Sequence, residues 1–132
     1  MASGKSTTAR EAARRLGYLY IDSGAMYRVV ALQALRAGAS TSDPATVGAI
    51  ASEVRIGFSE RDGETRVRLG DEDVTEAIRT PEVAEVASHV ASLTEVREAL
   101  IRIQREMGQS GGVVMDGRDI GTVVFPNADL KI

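Results

Sequence analysis

Three stretches of this chain carry residue types and spacings that could do chemistry on an anion. The first is Ser3-Gly4-Lys5-Ser6-Thr7-Thr8, whose end matches the closing half of the phosphate-binding loop G-x-x-x-x-G-K-[ST]. In such a loop backbone N–H groups wrap a nucleotide's phosphates, the lysine, here Lys5, neutralises them, and the hydroxyl of Ser6 holds a magnesium ion. The opening glycine has no counterpart, because counting back five positions from Gly4 passes beyond Met1, and the buried strand that should lead in is missing too. The chain is therefore expected to be truncated at this end. An ordinary capped helix explains the same residues, although any helix N-terminus attracts anions through its unpaired N–H groups and its dipole.

The second stretch is Asp22-Ser23-Gly24 with Arg28 shortly after it, and the third is Asp116-Gly117-Arg118-Asp119. Each follows a short continuous apolar run, Tyr18-Leu19-Tyr20-Ile21 and Val113-Val114-Met115 respectively, as expected of parallel strands covered on both faces. In open α/β sheets the ligand crevice lies at the carboxyl ends of the strands, so both polar stretches fall where a substrate contact would be. Other roles are open to them. Asp22 or Ser23 is equally suited to capping the next helix, and the Asp and Arg of the third stretch can pair with each other in a plain turn.

The elements that must position these groups are legible in outline. Over residues 8–16, Ala9, Ala12, Ala13 and Leu16 recur at helical spacing before Gly17 stops the pattern. Residues 24–37 read as a helix apolar nearly all round, with Met26, Val29, Val30, Ala31, Leu32, Ala34 and Leu35, and hence as a buried one. An arginine at position 28 of such a helix must reach solvent, pair with a carboxylate or face a ligand. Asp43-Pro44 places a cap and a first-turn proline before a helix over about 45–52. The period then changes: Val54, Ile56 and Phe58 alternate with polar or small residues, residues 65–69 alternate likewise, and Asp62-Gly63 between them signals a hairpin. An antiparallel hairpin does not belong in a parallel layer, so residues 43–93 read as an inserted α+β lobe on a core formed by 1–42 and 94–132.

Within the lobe, Glu72-Asp73-Val74-Thr75 and Ile78-Arg79-Thr80-Pro81 lead into a helix over 81–92 whose apolar face is Val83, Val86, Ala87 and Val90. Ser88 and His89 lie beside that face, and a lone His89 gets no role. Thr94 is expected to cap a long helix with Val96, Leu100, Ile103 and Met107 in its buried row and Arg97, Arg102 and Arg105 off it. Gly111-Gly112 breaks that helix, and Leu130-Lys131-Ile132 reads as the start of a third parallel strand.

Composition bounds the function classes. The 132 residues are 43% hydrophobic and 27% charged with a net charge of -3, the profile of a globular domain with one core rather than two. There is no cysteine, no secretory signal and no apolar run near the roughly 18 residues of a membrane span, so a cytoplasmic location is the default expectation. Mild acidity argues against broad nucleic-acid binding, which wants a basic face.

Taken together, SGKSTTA at 3–9, YIDSGAMYR at 20–28, IRTPEVAEVAS at 78–88, VREAL at 96–100 and DGRDIGTVVFPNADLKI at 116–132 resemble the bacterial-type cytidylate kinase family. Their order and spacing fit from end to end, and DSGAMYR with DGRDIGTVVFP is far more specific than the incomplete phosphate loop. The resemblance implies an α/β fold, a P-loop NTPase-like parallel sheet core, incomplete here, with an inserted α+β monophosphate-binding lobe. It implies phosphoryl transfer from ATP to CMP or dCMP, with magnesium, in which the protein positions two anions and stabilises spread charge. It implies that Ser3, Gly4, Lys5, Ser6 and Thr7 serve the ATP phosphates, that Ser6 serves the metal, and that Asp116 helps organise either the metal or Arg118. It implies that Arg28 and Arg118 clamp the acceptor phosphate with support from Ser23, Lys5 acting with them in catalysis. Ser88, Arg97 and Asp119 would read the cytosine edge, Asp119 accepting from the amino group and Arg97 donating to the ring nitrogen and carbonyl.

The family's first strand and its arginine-bearing lid have no counterpart among the 132 residues, so the polypeptide is expected to keep part of the CMP site and little or no turnover. At full length a monomer is expected, bound to small nucleotides and not to nucleic acid or membrane. Two alternatives stand: a non-catalytic nucleotide-binding module, and another small-molecule P-loop kinase such as a shikimate kinase. The long insert with its Asp62-Gly63 hairpin speaks against the latter.

Overall fold

The computed structural model describes residues 11, 13, 15, 19–108 and 113–116, with the backbone alone described at 19 and 113–116. The short apolar runs become strands β1, Leu19–Asp22, and β5, Val113–Asp116, which pair in parallel with Leu19 opposite Val113 and Asp22 opposite Asp116. Positions 11, 13 and 15, within the helical pattern read over 8–16, are helical, with Ala13 buried.

Helix α1, Ser23–Arg36, follows β1 without a gap. Its nearly continuous apolar sequence has a structural cause, because it lies between two hydrophobic clusters. Met26 and Val30 join Ile21, Val47, Ala51, Val90, Val96, Ala99 and Leu100 on one side. Ala25, Val29, Ala31 and Leu32 join Val67, Val74, Ile78, Val83 and Ala87 on the other. Fully burying each of these larger aliphatic side chains contributes about 1.5–3 kcal/mol before conformational entropy is subtracted, which outweighs any loss from lacking a polar face.

Helix α2, Pro44–Glu53, starts as expected: the Asp43 carboxylate accepts from the Thr46 N–H at 3.4 Å and from its hydroxyl at 2.7 Å, with Pro44 in the first turn. These bonds hold the Asp43 carboxyl below its ordinary range. Strands β2, Ile56–Arg61, and β3, Glu64–Leu69, form an antiparallel hairpin around Asp62 and Gly63, whose φ values of 53° and 78° are the left-handed pair that a two-residue turn needs. The first strand starts two residues later than the alternation suggests. Val54 is taken by the end of α2, its N–H bonding to the Ile50 carbonyl at 3.1 Å, and the tight turn then sets the register through Arg61 opposite Glu64.

Two elements were not anticipated. A short β4, Glu72–Asp73, extends the antiparallel sheet beyond Gly70, and a 3₁₀ turn, Ala77–Arg79, precedes helix α3, Pro81–Val90. Thr75 continues the ladder through its side chain: its buried hydroxyl accepts from the Val67 N–H at 2.8 Å. Thr80 caps α3, accepting from the Val83 N–H at 3.3 Å. Helix α4, Thr94–Gly108, includes Thr94 as its first residue rather than as a preceding cap. In α4, Val96, Ala99 and Leu100 are buried, Ile103 and Met107 are half-buried, and Arg102 and Arg105 are exposed. Gln104 is buried as well, and donates from Nε2 to the Met26 sulfur of α1 at 3.5 Å.

Helices α2 and α4 approach so closely at Gly48 that a Cβ there would lie 2.7 Å from the Glu95 Cβ. Gly48→Ala should therefore be destabilising: overpacking costs about 1–3 kcal/mol, against about 1 kcal/mol gained in helix propensity. A lower urea midpoint, with unchanged m, is the expected reading.

Charges tie the antiparallel sheet to its surroundings. Arg36, in the last turn of α1, pairs with both oxygens of Glu72 at 2.7 and 2.8 Å. Arg66 reaches Asp73 through Nε and Nη2 at 2.9 and 3.1 Å and Glu76 through Nη1 and Nη2 at 3.0 Å each. Hydrogen bonding to Glu76 and Asp73 raises the Arg66 pKa, and Arg66 in turn lowers both carboxyls, helped at Asp73 by the Thr75 N–H. Depressed folded-state values mean that this contribution is fully present above the ordinary carboxyl range near about 4 and is lost as pH falls through the folded values. Arg66→Gln should therefore flatten the fall of Tm with pH between about pH 5 and 2, as read by thermal melts.

Candidate functional site

At the carboxyl end of β1 the chain turns directly into α1, and Asp22 makes that turn. One oxygen of its carboxylate caps the helix, accepting from the Ala25 N–H at 3.3 Å. The other lies 3.6 Å from Nη2 of Arg28, one helical turn further on. Gly24 fits between them, since a Cβ there would come within 3.2 Å of the Asp22 carboxylate and 3.6 Å of the Arg28 guanidinium. The second of the alternatives read for Asp22, capping, is thus what the structure contains, and the carboxylate also steadies the arginine.

Arg28 lines a cleft of about 200 Å³ between this junction and the antiparallel sheet. Its floor is Tyr20, Ala25, Val67, Thr75 and Ile78, all buried. Its rim is charged: Asp22 and Arg28 from the β1–α1 side, Glu64 from the start of β3 and Arg79 from the 3₁₀ turn, with Thr65 beside them. Whole-ligand pockets run to about 300–1,000 Å³, so this volume suits one end of a ligand. At 3.6 Å the Arg28–Asp22 contact is an ion pair too long for a good hydrogen bond, and both side chains are about a third exposed, 34% and 40%. Such pairs contribute about 0–1 kcal/mol, so Arg28 is only weakly held by Asp22.

The other residues singled out from the sequence are spread more widely. Ser23 is buried as the first residue of α1. Ser88 is exposed on α3 and Arg97 half-buried on α4, and neither lines the cleft. Asp116 ends β5 directly opposite Asp22 in the parallel ladder, which puts both strand ends on the cleft side. Ser3, Gly4, Lys5, Ser6, Thr7, Arg118 and Asp119 lie outside the described residues. Among the described residues no group of three His, Cys, Asp or Glu side chains converges to hold a metal ion, and no helix is long and apolar enough to cross a membrane. His89 has a local part, its Nε2 lying 2.8 Å from the Thr41 carbonyl and joining α3 to the loop before α2.

Glu64, Arg79 and Thr75 were not among the residues expected at a site. The one signal available for Arg79 was its place inside the IRTPEVAEVAS stretch at 78–88. No local pattern in the sequence puts it beside Arg28.

A cleft at the carboxyl end of a parallel strand, rimmed by two guanidinium groups and two carboxylates, is the polar crevice expected of an α/β protein at its strand ends. The chain belongs to the cytidylate kinase family, whose model matches residues 1–132. It is 50% identical over 128 residues to a cytidylate kinase of Syntrophotalea carbinolica, covering 97% of this chain and 54% of that one. It is 52% identical over 130 residues to a cytidylate kinase of Symbiobacterium thermophilum, covering 98% and 58%, and 47% identical over 129 residues to one of Geobacter sulfurreducens, covering 98% and 55%. The chain thus spans about half the length of the curated relatives it matches.

The dual use of Asp22 is testable. Asp22→Ala should cost about 1 kcal/mol of stability through the lost cap, while Asp22→Asn, an equally good cap, should cost much less, as read from urea unfolding.

Proposed function

We propose that the protein containing this chain transfers the γ-phosphoryl group of ATP to CMP or dCMP, and that the cleft beside Arg28 receives the phosphate of the acceptor. The observation that carries this reading is Arg28 itself, weakly paired at the rim of a cleft at the β1 end, within the DSGAMYR stretch by which the sequence resembles cytidylate kinases. A planar guanidinium suits a phosphate monoester because it supplies charge and paired donors in one geometry.

In this reading residues 1–42 and 94–132 form the P-loop kinase core and residues 43–93 the inserted CMP-binding lobe. Lys5, with Ser3, Gly4, Ser6 and Thr7, would hold the ATP phosphates, and Ser6 and Asp116 would hold a magnesium ion, whose charge would offset that of the phosphates. Arg118 joins Arg28 on the acceptor phosphate and Ser23 supports them. Ser88, Arg97 and Asp119 recognise the cytosine edge. The chemistry asks for no covalent nucleophile, since positioning and charge stabilisation supply most of the rate in phosphoryl transfer.

Calorimetry with CMP, UMP and shikimate, together with ADP release from ATP in the whole protein, tests the assignment. CMP should be the preferred ligand and the best acceptor, and Arg28→Gln should weaken CMP binding tenfold or more, in keeping with loss of about 1.5–3 kcal/mol from a charged hydrogen bond. Preference for shikimate, or CMP affinity indifferent to Arg28, would overturn it. Uptake of CMP with no ADP formed by the whole protein would leave a nucleotide-binding module in place of a kinase.

A further inference from the structure

The cleft that Arg28 lines carries a second guanidinium. Arg79 is the last residue of the 3₁₀ turn, is 58% exposed, and is attached to Glu64 by one contact, Nη2 to Oε1 at 3.3 Å. That same Glu64 oxygen also faces Nη1 of Arg66 at 3.4 Å, so it is shared between two arginines. Arg66 does not depend on it, having shorter bonds to Asp73 and Glu76. Arg79 and Glu64 both line the cleft that Arg28 lines, beside the buried Thr75 and Ile78.

This arrangement differs from that of a structural arginine. Arg36 and Arg66 bind their carboxylates in paired, short contacts. Arg79 instead has a single long contact at a solvent-accessible rim, where an ion pair is weak and easily exchanged. We propose that Arg79 is a substrate-positioning residue that leaves Glu64 to bind the phosphate of the pyrimidine nucleoside monophosphate opposite Arg28, with Glu64 as the carboxylate it exchanges. The inference rests on the cleft being the monophosphate site, as in the function proposed above.

The two variants should move affinity in opposite directions. Arg79→Gln should weaken CMP about tenfold, the loss of one charge-assisted contact, and leave cytidine, which has no phosphate, unchanged. Glu64→Gln frees Arg79 while Arg66 keeps Asp73 and Glu76, and should strengthen CMP up to about fivefold, again without effect on cytidine. Calorimetry with both ligands, and a thermal melt of each variant, reads these outcomes. Equal losses for CMP and cytidine, or no change in CMP affinity with Arg79→Gln, would overturn the assignment while leaving the monophosphate site standing. If Arg79→Gln melts too low to measure, a Glu64→Gln chain that binds CMP no more tightly overturns it. No binding of CMP by the unaltered protein would remove the underlying reading as well.

Discussion

Helix α1 has apolar neighbours on two sides, and much of the described structure follows from that. A helix flanked by Met26 and Val30 on one side and Val29 and Leu32 on the other needs an element on each, and the chain supplies them in different ways. On the first side α4 and α2 close over it, with Gly48 allowing those two to meet backbone to side chain. On the second, α3 and the antiparallel sheet do so, through Val67, Val74, Ile78 and Val83. Ile56, Phe58 and Val86 reach both clusters, so the two cores are packed as one body around α1. Because β1 runs into α1 with Asp22 as the hinge, burying the helix also fixes where the first polar group past the strand must point.

The arginines divide by how they are held. Arg36 and Arg66 form short paired bonds that fasten β4 and the segment after it to α1 and β3, and the carboxylates they hold are pulled to low pKa in consequence. Arg28 and Arg79 hold their partners by one contact each, at 3.6 and 3.3 Å, on the rim of a cleft. A guanidinium held by several short bonds must break all of them to leave, while one held by a single long contact can be passed to another anion at little cost. The same residue type thus carries two jobs, separated by geometry.

How much of this could be read beforehand differs by element. The buried character of α1, the Asp43-Pro44 start, the Asp62-Gly63 hairpin and the two apolar strands each rest on local signals: periodicity, a cap, a turn dipeptide, an uninterrupted apolar run. Each agrees with the structure to within a residue or two. The shift at β2 arose because Val54 satisfies two patterns and the helix claimed it first. Strand β4 was missed because Glu72 and Asp73 have poor strand propensity and are held by pairing with Arg68 and Leu69 and by charge. Gln104 was passed over because a polar residue in a buried row looks like a break, and its partner, the Met26 sulfur, is 78 residues away in sequence.

By itself, then, the order of residues determined the kinds of element, their approximate limits, the turn chemistry and the stretches able to meet an anion, since all of these depend on neighbours within a few positions. What faces what was decided by the tertiary structure alone. Arg79 lines the same cleft as Arg28, and one oxygen of Glu64 serves two arginines, because burying both sides of α1 brings the 3₁₀ turn and the start of β3 to the end of β1. Such meetings depend on long-range packing, which leaves no mark at the spacing of a turn or a helix.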